Sequence, residues 1–235
     1  MDVEMSLKQM AVIFDLDGTL LDSLVGIARA MNVLLERLGY PQHPQVAYRY
    51  FVGEGLEQLV IRALPETALP RHSLEQLVRD YREIYRQTWP VSTNPYDGIP
   101  ELLDELRQRH IPMAIISNKS EPFTRTMVET LLSRWQFAAV RGQRAGVPLK
   151  PDPHSALATA ERLNVAPQHV LFVGDTKIDM QTATAAGMVA VGVLWGFREA
   201  DELLSHGAEY LIEHPRQLLD KIDGGGNVLK RGMLR

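Results

Sequence analysis

Apolar and polar positions alternate in two different rhythms along this chain. Short, nearly continuous apolar runs occur at residues 11–14, 112–116, 137–140, 170–173 and 189–194, with a shorter run at 210–212. Runs of four to eight apolar residues bounded by turn signals read as strands buried on both faces. Between them, residues 99–109, 121–134, 153–163 and 177–186 carry apolar side chains at three-to-four spacing, the period of a helix with one buried face. Strand and helix in alternation predict repeated βαβ units, and so an α/β fold built on a doubly wound, Rossmann-like parallel sheet.

The rhythm changes after the first strand. Residues 24–38, 45–64 and 74–89 all read as helices, and no strand pattern appears before residue 95. About seventy residues far exceed the dozen or so that a crossover needs. The pattern therefore predicts an inserted helical cap over 23–92, and a core made of 1–22 and 93–223. Residues 89–100, with three Pro among other chain-breaking residues, form the return linker, and the segment near 20–24 is expected to supply the opposing hinge strand. The glycine run at 224–226 begins a tail, 224–235, expected to be flexible.

Composition narrows the classes. A chain of 235 residues with 45% hydrophobic residues can bury a full core. Its formal net charge of −4 gives no global attraction to nucleic acid or to an anionic membrane, so any phosphate-binding charge must be local. With no Cys there are no disulfides, thiolate metal sites or Cys nucleophiles. Residues 1–9 lack the pattern of a signal peptide, and no run approaches the length of a membrane span, so a cytoplasmic protein without membrane or nucleic-acid partners is expected, as monomer or homodimer.

The candidate chemistry begins where the first strand ends, in Asp15-Leu16-Asp17-Gly18-Thr19. Side chains alternate along a strand, so two acids spaced by one residue start out on one face, and Gly18 is free to turn. Two carboxylates so close repel each other. A hard cation such as Mg2+, which takes one or two carboxylates together with substrate phosphate oxygens, offsets them. In open α/β sheets ligands bind outside the carboxyl ends of the strands. Three strands deliver polar groups to that edge: the first with Asp15 and Asp17, residues 113–116 leading into Ser117-Asn118, and residues 170–173 leading into Gly174-Asp175. Lys150 joins them from a segment in which Pro148, Pro151 and Pro153 limit the backbone. Taken singly, Ser117-Asn118 reads as the cap of the helix near Glu121, Lys150 as a surface lysine, and Asp175 as a helix N-cap. Asp179, one helical turn beyond Asp175, supports either the metal site or the helix terminus. Their arrival together at one edge favours a metal-dependent phosphoryl-transfer site.

These segments also resemble a known family. Residues 15–23, Ser117-Asn118, Lys150-Pro151 and residues 174–179 are similar to the four motifs of haloacid dehalogenase-like hydrolases. Within that superfamily Val52-Gly53-Glu54-Gly55-Leu56, Arg62-Ala63-Leu64, Ser117-Asn118-Lys119 and residues 191–196 resemble the phosphoglycolate phosphatase group. The resemblance implies Asp15 as nucleophile, Asp17 as general acid and base, and Mg2+ held by Asp15, the Asp17 backbone carbonyl and Asp175. It implies that Ser117 and Lys150 act in catalysis and phosphate binding, with Thr19, Asn118, Gly53, Glu54 and Gly55 as further substrate contacts and Asp179 behind the metal. The expected substrate is a small phosphate monoester, with 2-phosphoglycolate as the first choice; a pyrophosphatase or a sugar-phosphate mutase on the same scaffold is the alternative. Glu54 stands where many such phosphatases carry a neutral residue, and beside a glycolate carboxylate it must turn away or pair with Arg49 or Arg62. Arg141 and Arg144 stand where acidic residues are common, and they have no assigned role.

Overall fold

The computed structural model describes residues 10–69, 71–224 and 229–230 of the chain. In chain order the elements are β1 (Ala11–Phe14), β2 (Leu21–Asp22), α1 (Leu24–Arg37), α2 (Tyr48–Phe51), α3 (Leu56–Ala63), α4 (Leu74–Thr88), β3 (Asn94–Pro95), α5 (Ile99–Gln108), β4 (Met113–Ser120), α6 (Glu121–Leu131), β5 (Ala139–Gln143), α7 (His154–Leu163), β6 (Val170–Gly174), α8 (Lys177–Ala185), β7 (Val189–Val193), α9 (Ala200–Ser205), β8 (Tyr210–Ile212), α10 (Gln217–Ile222) and β9 (Leu229–Lys230). The main sheet runs β5-β4-β1-β6-β7-β8-β9; every pairing is parallel except the last.

Both faces of this sheet are covered, which is why its strands read as unbroken apolar runs. Val12 and Phe14 of β1 point into one cluster with Met113, Ile115, Leu171 and Val173, backed by Leu102, Leu106 and Met127. Ala11 and Ile13 point into the other, with Ala114, Ile116, Val170 and Phe172, backed by Ala156, Ala160, Met180 and Ala183. Leu34, Leu35, Tyr48, Leu59 and Tyr81 of the inserted helices belong to the first cluster, so their apolar faces are continuous with that side of the sheet. Leu21–Asp22 and Asn94–Pro95 pair as a two-stranded antiparallel ribbon where the chain leaves and re-enters the insertion.

Three expectations change. The pattern at 45–64 does not form one helix: a 3-10 turn over Gln45–Ala47 is followed by two short helices, separated by Val52 to Gly55. Gly53 and Gly55 there have φ of 128° and 89°, conformations that side-chain-bearing residues rarely adopt, and a helix cannot run through them. Ser117 and Asn118 lie inside β4, which runs on to Ser120; Ser120 precedes α6, and Ser117 and Asn118 do not cap it. Of the tail, Leu229–Lys230 pair with β8 as an antiparallel edge, while the rest of 225–235, like residues 1–9, lies outside the described residues. Among the described residues no helix is long and apolar enough to cross a membrane.

Candidate active site

Strand register brings the acids together. Phe14 is level with Ile115 on one side and Val173 on the other, so Asp15, Ile116 and Gly174 lie side by side, one step before Ser117 and Asp175. The Asp15 amide still donates to the Val173 carbonyl, 2.9 Å. Beyond it the amides of Leu20 and Leu21 both return to the Leu16 carbonyl, at 3.0 and 2.9 Å, closing a tight loop in which Gly18 has φ of 85°. A methyl group on Gly18 would lie 2.2 Å from Asp175 Oδ2, and one on Gly196 would lie 2.2 Å from Asp175 Cβ. Both positions must be bare for Asp175 to occupy its place.

The carboxylates are buried and each is held differently. Asp175 is wholly inaccessible; its Oδ1 accepts from Thr19 Oγ1 at 3.0 Å and its Oδ2 from the Phe197 amide at 2.8 Å. Thr19, expected among the substrate contacts, is instead fully buried and orients Asp175. Asp179 closes a capping box on α8: its Oδ2 accepts from the Thr176 amide and hydroxyl at 3.0 and 2.7 Å. Its Oδ1 accepts from Lys150 Nζ at 2.6 Å, and the same ammonium forms an ion pair with Asp15 Oδ1 at 2.9 Å. Lys150 thus joins the two acids, although its peptide bond to Pro151 lies in a loop; that bond is cis. Asn118 fixes the loop: its Oδ1 accepts from the Lys150 amide at 2.9 Å, and its Nδ2 donates to the carbonyls of Lys150 at 2.9 Å and Gly53 at 3.0 Å. The Asn118 side chain is committed to the loops, which leaves only its backbone for substrate.

Burial pushes the Asp15 carboxyl up to about 7, against the lowering effect of Lys150, and pushes Asp175 well above the usual carboxylate range, with Asp179 and Asp15 adding to the effect. Carboxylate oxygens of Asp15, Asp175 and Asp179 lie within 4.8 Å of one another. An all-oxygen, buried, negatively charged donor set fits a hard cation such as Mg2+. Asp175 accepts only from neutral donors, whereas Asp15 and Asp179 share the Lys150 ammonium, so Asp175 is the carboxylate of the three with most charge left for an ion.

A cleft of about 690 Å³, counting its open mouth, lies between the sheet edge and the helical insertion. Asp15, Asp17, Ser117, Asn118 and Lys150 line its floor, and Gly53, Gly55, Leu56, Leu59, Tyr81 and Tyr85 line its roof. Glu54 does not line it. Its Oε1 is 2.6 Å from Arg62 Nη2, and that pairing holds its carboxyl below the usual range, so the expected substrate contact is replaced by an ion pair at the cleft's edge. Two glycines with positive φ place Gly53 and Gly55 on the inner side while Glu54 points away.

Several residues make contacts that the motifs do not assign, although Lys119 and Trp195 lie within them. Lys119 donates to Asp17 Oδ2 at 2.7 Å and to the Tyr85 hydroxyl at 3.0 Å. Arg49, on α2, donates to the carbonyls of Gly196 at 2.8 Å and Phe197 at 3.0 Å. Arg198 reaches the other way, donating to the carbonyls of Arg49 and Val52. Trp195 Nε1 donates to the Thr19 carbonyl at 3.0 Å. Nothing in local sequence distinguishes these cations from solvated ones, since their partners lie from 34 to 149 positions away.

A family model described as haloacid dehalogenase-like hydrolase matches residues 12–193. A phosphoglycolate phosphatase of Chromobacterium violaceum is 33% identical over 225 residues, covering 94% of this chain and 100% of the relative. An N-acetylmuramic acid 6-phosphate phosphatase of Pseudomonas aeruginosa is 28% identical, covering 91% of this chain and 94% of its own length. Among solved structures, a haloacid dehalogenase-like family hydrolase from Streptococcus pneumoniae superposes with a TM-score of 0.80 at 30% identity, covering 91% of this chain and 98% of that one.

Proposed function

Because the chain belongs to the haloacid dehalogenase-like hydrolases, we propose that it is a Mg2+-dependent phosphatase acting on a small phosphate monoester, with 2-phosphoglycolate as the first candidate. The observation that carries this reading is the convergence of Asp15, Asp17, Lys150 and Asp175 at one sheet edge beneath the inserted helices. In this reading residues 1–22 and 93–223 form the catalytic core and 23–92 the cap that selects substrate.

Asp15 attacks phosphorus through a carboxylate oxygen, and the bond from phosphorus to the ester oxygen breaks. Asp17 gives its proton to the departing alkoxide, leaving an aspartyl-phosphate on Asp15. Asp17, now ionised, takes a proton from a water as that water attacks the same phosphorus. The bond to Asp15 breaks and inorganic phosphate leaves. Ser117 and the Asn118 amide hold phosphate oxygens, and Lys150, between Asp15 and Asp179, balances their charge. Mg2+ would be held by Asp15, Asp175 and the Asp17 carbonyl, with Asp179 supporting them, and would supply charge neutralisation for the phosphoryl group. The inserted helices that roof the cleft limit the access of other water to the intermediate.

Phosphate release measured across 2-phosphoglycolate, N-acetylmuramic acid 6-phosphate, sugar phosphates and pyrophosphate, with Mg2+ and with EDTA, tests this reading. Asp15→Asn is expected to fold and to lose more than about a thousandfold in turnover. Substantial residual turnover sinks the mechanism, and isomerised sugar phosphate in place of free phosphate favours a mutase.

A further inference from the structure

Lys119 is the second ammonium in the cleft, and no step above uses it. It lies two residues past Ser117 on β4, with about a tenth of its side chain exposed. The two cations lining the cleft are employed unequally. Lys150 is shared between two carboxylates, Asp15 and Asp179, whereas Lys119 faces one carboxylate, Asp17, and one phenol, Tyr85. An ammonium carries three N–H donors, and two are engaged here, so one remains for a ligand. Tyr85 also lies under the ammonium, 4.6 Å from ring centroid to Nζ, which holds the charge against the cap side of the cleft.

Among the residues lining the rest of that side there is no further cation. Ile27, Leu56, Leu59, Tyr81 and Phe123 line it, and burial holds the Tyr81 and Tyr85 phenols in their neutral form at neutral pH. A polyhydroxylated leaving group would set hydroxyls against the apolar walls of Ile27, Leu56, Leu59 and Phe123, where they lose water without gaining a partner. A leaving group bearing a single anionic oxygen pair would meet one cation, Lys119. Reach then limits the length of that group. On the reading that Asp17 serves the ester oxygen, the cation sits 2.7 Å from the same carboxylate. Ester oxygen and anion must therefore be only one or two carbons apart.

We infer that Lys119 is the specificity-determining residue of this cleft, receiving the carboxylate of a short phosphorylated hydroxy acid. The inference rests on the phosphatase reading and goes beyond it by naming the residue that reads the substrate's carboxylate.

The test compares 2-phosphoglycolate with 2-hydroxyethyl phosphate, in which a neutral hydroxymethyl replaces the carboxylate, for wild type, Lys119→Met and Lys119→Arg with Mg2+. Wild type is expected to favour phosphoglycolate in kcat/KM by about 100-fold or more, the scale of a charge-assisted contact. In Lys119→Met that preference is expected to fall below about tenfold, through a raised KM for phosphoglycolate, and Lys119→Arg is expected to restore part of it. Hydrolysis of both esters by wild type without preference overturns the inference while leaving the phosphatase reading standing, and needs no variant to fold. A folded Lys119→Met, by its melting curve, that keeps the wild-type preference also overturns it. Release of phosphate from neither ester, nor from the wider panel, overturns both readings together.

Discussion

Asp15 shows what burial does to a single group. Its carboxyl, near 3.8 in an exposed chain, is raised to about 7 chiefly by desolvation, with Asp179 adding repulsion and Lys150 relieving part of it. Between those two values the folded protein holds a proton that the unfolded chain has lost, so stability falls as pH rises from about 4 to about 7. Metal-free Asp15→Asn is therefore expected to melt above metal-free wild type at pH 8, and the gap should close toward pH 4; a calorimetric scan at both pH values checks this. Gly18 is a steric case. With φ of 85° and Asp175 Oδ2 only 2.2 Å from any added methyl group, Gly18→Ala is expected to cost more than about 1 kcal/mol and to weaken Mg2+ binding by ~10- to 100-fold, read by melting and by titration calorimetry. Glu54 is the counter-example: turned to Arg62 at the cleft's edge, it can be changed to Gln with a change in kcat/KM below about fivefold, because a half-exposed ion pair is worth up to ~1 kcal/mol. A larger loss would return Glu54 to the substrate contacts.

At the scale of elements, the union of α2 with the β7–α9 loop is made by two arginines reaching in opposite directions. Arg49 donates to the Gly196 and Phe197 carbonyls, and Arg198 donates to those of Arg49 and Val52. Loop carbonyls have no ladder to join, and a guanidinium with five donors satisfies several at once. Arg198 is buried, so Arg198→Ala leaves those carbonyls unpaired and is expected to cost about 2 kcal/mol, a drop of ~4–8 °C in Tm. The same change frees the edge of the cleft beside Gly53 and should raise KM more than it lowers kcat; steady-state kinetics separate the two. The Val52 to Gly55 break belongs to this scale as well. Periodicity reads 45–64 as one helix because the apolar spacing continues across Gly53 and Gly55, whereas the backbone there is set by contacts such as Asn118 Nδ2 on the Gly53 carbonyl.

For the whole molecule, one sheet with two covered faces sets three polar strand ends at one edge, and the insertion roofs that edge. Removing metal with EDTA is expected to stop phosphate release and to lower Tm at neutral pH, where the buried acids lose their counter-charge, and added Mg2+ should reverse both. Much of this was legible in the chain. Apolar runs that need burial on both faces announced a parallel sheet, and the acids, Ser117 and Lys150 were identifiable because strand ends and prolines are local features. The motifs contain Thr19 and Lys119 but not their roles, because a threonine or lysine has no local mark that tells a substrate contact from a support or from a solvated side chain. The sequence by itself determined the alternation of elements, the insertion and the reactive pair Asp15 and Asp17, since period, turn chemistry and spacing act over a few residues. Only the tertiary structure decided the partners: Thr19 on Asp175, Lys150 between Asp15 and Asp179, Lys119 on Asp17, and Glu54 turned out to Arg62. Most of those pairings join distant parts of the chain, and Glu54 turns on the backbone of its two glycines, so a charge finds its partner there only after the sheet has set its register and the chain has paid for its own burial.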